Sequence, residues 1–162
     1  MTLRTARPYP RQMSSPPFVP AGFTAPTTLV VGELRLEPLG PQHHEADLAA
    51  WSSSIDHIRA TPGYPDGDWP PPQGMSAEEN LADLRRHAAD FEAGRGFTYT
   101  VLEGEEVVGC VYLYPPEREG TDVSVQSWVR ADRAAHDGPL ADAVARWLRS
   151  DWPWSASDRH GR

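Results

Sequence analysis

Apolar and polar residues follow two distinct periods from residue 29 onward. In "LVVGELRLEPL", Leu34 and Leu36 alternate with Arg35 and Glu37, which predicts a strand with one buried face. In "GPQHHEADLAAWSSSIDHIRAT", Leu48, Trp51, Ile55 and Ile58 fall at i, i+3, i+7 and i+10, a helical stripe. Pro41 suits the first turn of that helix, and the serines at 52–54 predict a break or bend in it. A second helix is announced by a Ser76/Glu79 capping box and ended by Gly94, with Leu81, Leu84, Ala88 and Phe91 on its buried side.

The second half changes period. "FTYTVLE", "EVVGCVYLYP" and "TDVSVQSWVR" read as three successive strands separated by turn residues. The middle run is apolar or aromatic on both sides. Strict alternation puts Val107, Val111 and Leu113 on one face and Val108, Cys110, Tyr112 and Tyr114 on the other, the pattern of a covered central strand. A third helix follows, its stripe made by Leu140, Ala143, Val144, Trp147 and Leu148, with room for one short strand after it. This order of strands and helices predicts an α+β domain with a mainly antiparallel mixed sheet and helices on both faces.

The ends and the loops read differently. Residues 1–28 form a proline-rich N-terminal tail with no sustained period, expected to be disordered or to lie as a strap through Phe18 or Phe23. Residues 29–162 form the single domain. Either Met1 or Met13 serves as the start on this reading. The long loop 61–75 carries Tyr64 and Trp69, placed to line a pocket, because loops of this size in small domains tend to be functional. Within it, "PDGD" at 65–68 lacks the spaced ligands of a calcium loop and reads as a turn.

Composition narrows the function. A formal net charge of −8 argues against a nucleic-acid partner. The lone Cys110 excludes a disulfide within the chain and a cysteine zinc cluster, and it reads as a small core residue. No apolar run is long enough for a membrane span, and no apolar stretch follows Arg4, Arg7 and Arg11 as a secretory signal requires. A cytoplasmic protein is expected. His43 and His44 are adjacent in a helix, point apart, and read as surface residues rather than a metal pair; no metal site is expected. Tryptophans at 147–154 would expose apolar surface on a lone domain, which predicts a homodimer.

Candidate chemistry concentrates in "SWVRADRAAHDGPLADAVARWL", residues 127–148. A strand end, an arginine-bearing loop and a helix start together make a common anion site. With "LRLEPL" at the start, "VVGCVYLYP" in the middle and "VSVQSWVRADR" before the helix, the chain resembles the GNAT acyltransferases, over roughly residues 29–150. The resemblance is to the branch containing the ribosomal-protein alanine N-acetyltransferases. It implies transfer of an acetyl group from acetyl-coenzyme A to a small-molecule or peptide amine. It also implies a GNAT-like fold lacking the last helix and strands. In that family the strand end, here Ser127, Trp128 and Val129, offers backbone groups to the pantetheine arm. The next loop, here within Arg130 to Leu140, cradles the pyrophosphate.

Two departures stand out. Gly138 is the one glycine of the loop, and Pro139 supplies no N–H. Arg130, Arg133 and His136 are then the side chains available to phosphate, and Asp137 is placed to cap the helix and compete for its donors. The family's later helix, which often brings a tyrosine acid, has no counterpart in the sequence. Asp122 and Glu117 are candidate bases without a motif, and the catalytic groups stay unassigned. The rival reading is a catalytically inactive GNAT-fold domain that binds a small molecule or a protein.

Overall fold

The computed structural model describes residues 17–65 and 67–162. The expectations for residues 1–16, for Met13 as a start and for Asp66 in the "PDGD" turn lie outside the described residues. Among the described residues, six strands form one sheet in sequence order, β1 (Leu29–Val31), β2 (Leu34–Pro38), β3 (Phe97–Glu103), β4 (Glu106–Tyr114), β5 (Val123–Val129) and β6 (Ser157–Asp158). Neighbours are antiparallel except β5 and β6, which run parallel. The stretch expected as one strand at "LVVGELRLEPL" is a hairpin, because Gly32 and Glu33 turn the chain between Val31 and Leu34.

One face of the sheet carries α1 (His44–Ser52), α2 (Ile55–Arg59) and α3 (Ala77–Ala93). The serine triplet does separate α1 from α2. The α3 start is a true capping box: Ser76 Oγ accepts from the Glu79 N–H, and the Glu79 carboxylate accepts from the Ser76 N–H. Gly94 ends the helix at φ 70°, a left-handed conformation in which a side chain would be strained. Leu39, Trp51, Ile58 and Leu84 pack there against Leu102, Val107, Cys110 and Trp128 of the sheet.

The opposite face carries α4 (Asp137–Asp151), whose Leu140, Val144, Trp147 and Leu148 meet Val108, Val111, Leu113 and Val123. Val107 and Val108 are therefore on the opposite faces from those that alternation predicts. The cause is a β-bulge: Val101 pairs with Gly109 but Leu102 pairs with Val107, so Val108 is the extra residue. Gly109 follows it because the backbones close in here; a Cβ would lie 2.5 Å from the Trp128 carbonyl oxygen.

Residues 17–28 lie along the domain. Phe18 stacks on Trp154 with ring centroids 4.7 Å apart, Phe23 meets Trp152 at 5.5 Å, and Trp154 Nε1 donates to the Phe18 carbonyl. The Tyr99 hydroxyl donates to the Pro26 carbonyl at 2.6 Å. Trp147, Trp152 and Trp154 are all buried within the chain. The apolar surface that motivates a homodimer is thus covered by the chain's own aromatic residues. Among the described residues, no helix is long and apolar enough to cross a membrane.

Candidate functional site

Two features meet along β5. The first is the edge of the strand that faces β6. The pairing of β6 reaches Val123 and Ser124 and stops, so among the described residues the rest of β5 has no strand partner on that side. Backbone groups alternate sides along a strand. The Trp128 carbonyl points to Gly109 and Arg130 N–H donates to the Val108 carbonyl, both toward β4. Ser127 and Val129 therefore present their backbone groups to the open edge. Trp128 presents neither part: its side chain is buried, with Nε1 donating to the Tyr112 hydroxyl at 3.0 Å.

After β5 the chain winds through a 3-10 segment, Ala131–His136, into α4. The Ala131 N–H is taken by Ser54 Oγ at 2.8 Å. Arg130 chelates Asp132 through Nε and Nη2, both at 2.9 Å, and also donates to Glu106. Arg133 donates to Glu103 Oε2 at 2.8 Å, and His136 stands 3.8 Å from the same oxygen. Asp132 and Glu106 raise the Arg130 pKa above its ordinary value, as Glu103 does for Arg133. Both arginines are cations already matched by carboxylates. Gly138 lies in the first turn of α4 with open space where a Cβ would stand. Asp137 does not cap the helix as the sequence suggests. Its carboxylate is engaged by both Nη atoms of Arg162, at 2.7 and 2.9 Å, and the same guanidinium donates to the Ser127 carbonyl.

The second feature is a cleft of about 360 Å³ on the α1–α3 face. Gln126 of β5 and Tyr112 of β4 lie at its floor, α1 supplies Asp47, α3 supplies Asn80, Asp83, Arg86 and His87, and the 61–75 loop supplies Tyr64, Asp68 and Trp69. Tyr64 and Trp69 do line a pocket, as the loop length suggests. The loop is tied down by Gln126 Nε2 donating to the Gly63 carbonyl at 2.8 Å and by Arg59 donating to the Pro70 carbonyl. Trp69 sits within 5.5–6.2 Å, ring to ring, of Trp51, Tyr64, Tyr112 and Trp128.

Burial tunes the cleft. Asp47 is buried, which raises its carboxyl to about 6 although Asn80 Nδ2 donates to it at 3.3 Å. Asn80 is itself aimed by accepting from Trp51 Nε1 and donating to the His44 carbonyl. His87 is lowered to about 4, first by desolvation and then by the Arg86 charge. The Tyr64 hydroxyl is buried with no partner among the described residues.

The remaining candidates lie elsewhere. Asp122 accepts from the Ser155 and Ala156 N–H groups at 2.8 and 2.9 Å and fastens the segment leading into β6. Glu117 is exposed on the β4–β5 connection. His43 is no surface residue: it accepts from Gly40 N–H through Nδ1 and meets Glu37 through Nε2. His44 is likewise partly buried, its Nδ1 without a partner among the described residues. The sequence missed Asp47, Asn80, Asp83 and His87, because on a helix they look like the polar side of an amphipathic stripe.

Solved structures share this fold. The ribosomal-protein-S5-alanine acetyltransferase of Vibrio fischeri superposes with a TM-score of 0.57 at 12% identity, over 76% of this chain and 67% of that one. The RimL ribosomal L7/L12 alpha-N-protein acetyltransferase, in its complex with coenzyme A, gives 0.60 at 16% identity, over 77% and 70%. The fold is that of the GNAT acetyltransferases. A third GNAT-fold structure, the microcin C7 self-immunity acetyltransferase MccE with acetyl-CoA and AMP, gives 0.59 at 13%, over 77% and 66%. No family model and no curated protein matches the sequence. The GNAT fold here is thus carried by the sheet, its open β5 edge and the helix that follows, rather than by a sequence signature.

Proposed function

We propose that the protein is an N-acetyltransferase that moves an acetyl group from acetyl-coenzyme A to an amine held in the cleft. One observation carries the reading: a cleft of ligand size shares strand β5 with an unpaired strand edge that leads into a helix N-terminus. The GNAT-fold structures solved with coenzyme A or acetyl-CoA support it. Bound acetyl-CoA would supply the activated thioester. The strand edge at Ser127 and Val129 suits a pantetheine arm, which carries amide donors and acceptors, once Arg162 releases the Ser127 carbonyl. Arg130, Arg133 and the clear space over Gly138 suit the phosphates, once the arginines exchange Glu103, Glu106 and Asp132 for them. The cleft orients the amine, and Trp69 and the 61–75 loop shield it from water.

The acceptor is a small-molecule or peptide amine; the neighbours named for ribosomal proteins favour the peptide, and the aromatic-lined cleft of about 360 Å³ favours the small molecule. A cytoplasmic setting is supported by the single, fully buried Cys110. A homodimer retains one support, the edge strand β1 with Val30 68% exposed. The carboxylates already paired with Arg130 and Arg133 favour a second reading, a GNAT-fold binding module without transfer activity. Release of free coenzyme A thiol from acetyl-CoA, over a panel of peptide and small amines, separates the two. Thiol release that depends on the amine supports transfer, and its absence across the panel supports the module.

A further inference from the structure

We propose that the cleft between α1, α3 and the 61–75 loop selects a small organic monocation, an ammonium group carried on a flat apolar body. The inference deepens the transferase reading and rests on it only for what happens to the bound cation, not for its binding.

The charge of the lining is one-sided. Asp47, Asp68 and Asp83 face Arg86 as the one cation among the described lining residues. His87 adds an acceptor, by a proton count. Asp90 accepts from the Tyr114 hydroxyl at 3.0 Å, which uses that hydroxyl's proton. The 2.8 Å contact between Tyr114 and His87 Nδ1 then requires the proton on Nδ1, which Thr98 also meets at 2.9 Å. Thr98 and Tyr114 do not line the cleft and His87 does, so the bare Nε2 lone pair is on the cleft side. Tyr64 adds a buried aromatic wall: it lines the cleft, is 5% exposed, and its ring stands 6.1 Å from that of Trp69. Its hydroxyl is enclosed beside Cys110, Arg162 and Asp137 rather than open to the carboxylates, and has no partner among the described residues.

The body of the ligand is set by the walls. Trp69 and Tyr112 meet nearly edge to face, at 68° and 6.2 Å, and Leu39 and Leu84 complete an apolar side. Aromatic faces beside carboxylates hold organic cations by the ring quadrupole as well as by charge. A long polycation would need carboxylates spaced along a groove; here they gather around one cleft of about 360 Å³.

The pH behaviour follows from Asp47. The groups around it are Asp83 and Arg86 of α3, His43 of the preceding turn, and the Cys110 thiol and Tyr112 hydroxyl, both kept neutral by burial. Asp47 ionises near pH 6, and His87 stays uncharged above about 4. Affinity for a cation therefore rises from pH 5 to 7 and then levels.

The test is calorimetry with phenethylammonium, 2-phenylethanol and 3-phenylpropionate, without acetyl-CoA. The cation should bind about tenfold or more tighter than the alcohol, and the anion should not bind. Asp47→Asn should remove most of that preference and the rise between pH 5 and 7. Equal affinity for cation and alcohol, no binding of the cation, or an unchanged pH profile in Asp47→Asn overturns the proposal. Cation binding without acetyl-CoA binding removes the transferase reading and leaves this one. Acetylation of amines that are neutral at pH 7, with phenethylammonium ignored, does the reverse.

Discussion

Arg162 holds Asp137 by two hydrogen bonds, at 2.7 and 2.9 Å, at the first residue of α4, and its side chain is 11% exposed. The pair stands beside the open edge of β5, where the guanidinium also takes the Ser127 carbonyl. A carboxylate at a helix start is favourable, but one that faces an incoming phosphate is not. Asp137→Asn should free Arg162 for an anionic ligand and raise acetyl-CoA affinity severalfold. Arg162→Ala should lower stability by about 1–3 kcal/mol and weaken that binding. Thermal melts and calorimetry check both; weaker binding in Asp137→Asn contradicts this role for the pair.

Glu103 neutralises Arg133 and stands 3.8 Å from His136. Glu103→Gln should release both toward a phosphate. Acetyl-CoA affinity should rise, and its decline with added salt should steepen, because more unpaired positive charge then meets the ligand. Affinity measured at two ionic strengths checks this.

The segment 17–26 should matter to stability. Phe18 stacks on Trp154 and lies 5.9 Å from Phe97, and Tyr99 is anchored to Pro26. A chain beginning at Met13 keeps all of these contacts. One beginning at Thr27 should lose several degrees, and Phe18→Ala alone about 1–3 kcal/mol, less than a full core deletion because Phe18 is only half-buried. Unchanged melting of the shorter chain contradicts this.

Asp47 and His87 set opposing acid responses. Asp47 is raised from 3.8 to about 6, so between those values the folded state binds the extra proton and stability grows as pH falls. His87 is lowered from 6.5 to about 4, so between those values the unfolded state binds it and stability is lost as pH falls. From pH 6 to 4 the two nearly cancel. Asp47→Asn should therefore become acid-sensitive, with a slope near ~1 kcal/mol per pH unit. His87→Gln should become more stable toward pH 4. Denaturant midpoints at pH 4, 5, 6 and 7 check the signs.

The strands, the helices and the loop before α4 were legible because burial writes period 2 and period 3.6 into the sequence. The exchange of Val107 and Val108 was not, since a bulge adds a residue without changing composition. Arg130 and Arg133 were legible as residues, while their carboxylate partners were not. Glu106 lies 24 residues from Arg130 and Glu103 lies 30 from Arg133, and they meet the arginines only through the β3–β4 hairpin. The cleft was half legible: Tyr64 and Trp69 stood out in their loop, but Asp47, Asn80 and His87 needed the crossing of α1 and α3 to come together.

A calorimetric titration of acetyl-CoA into the full chain, beside Arg130→Ala/Arg133→Ala, tests the central claim most directly. Charge-assisted bonds of ~1.5–3 kcal/mol each predict saturable one-to-one binding that the double variant weakens by well over tenfold. Absence of binding to the unaltered protein, or binding indifferent to both arginines, contradicts the account: the first removes the donor, and the second puts its phosphates somewhere other than the loop before α4.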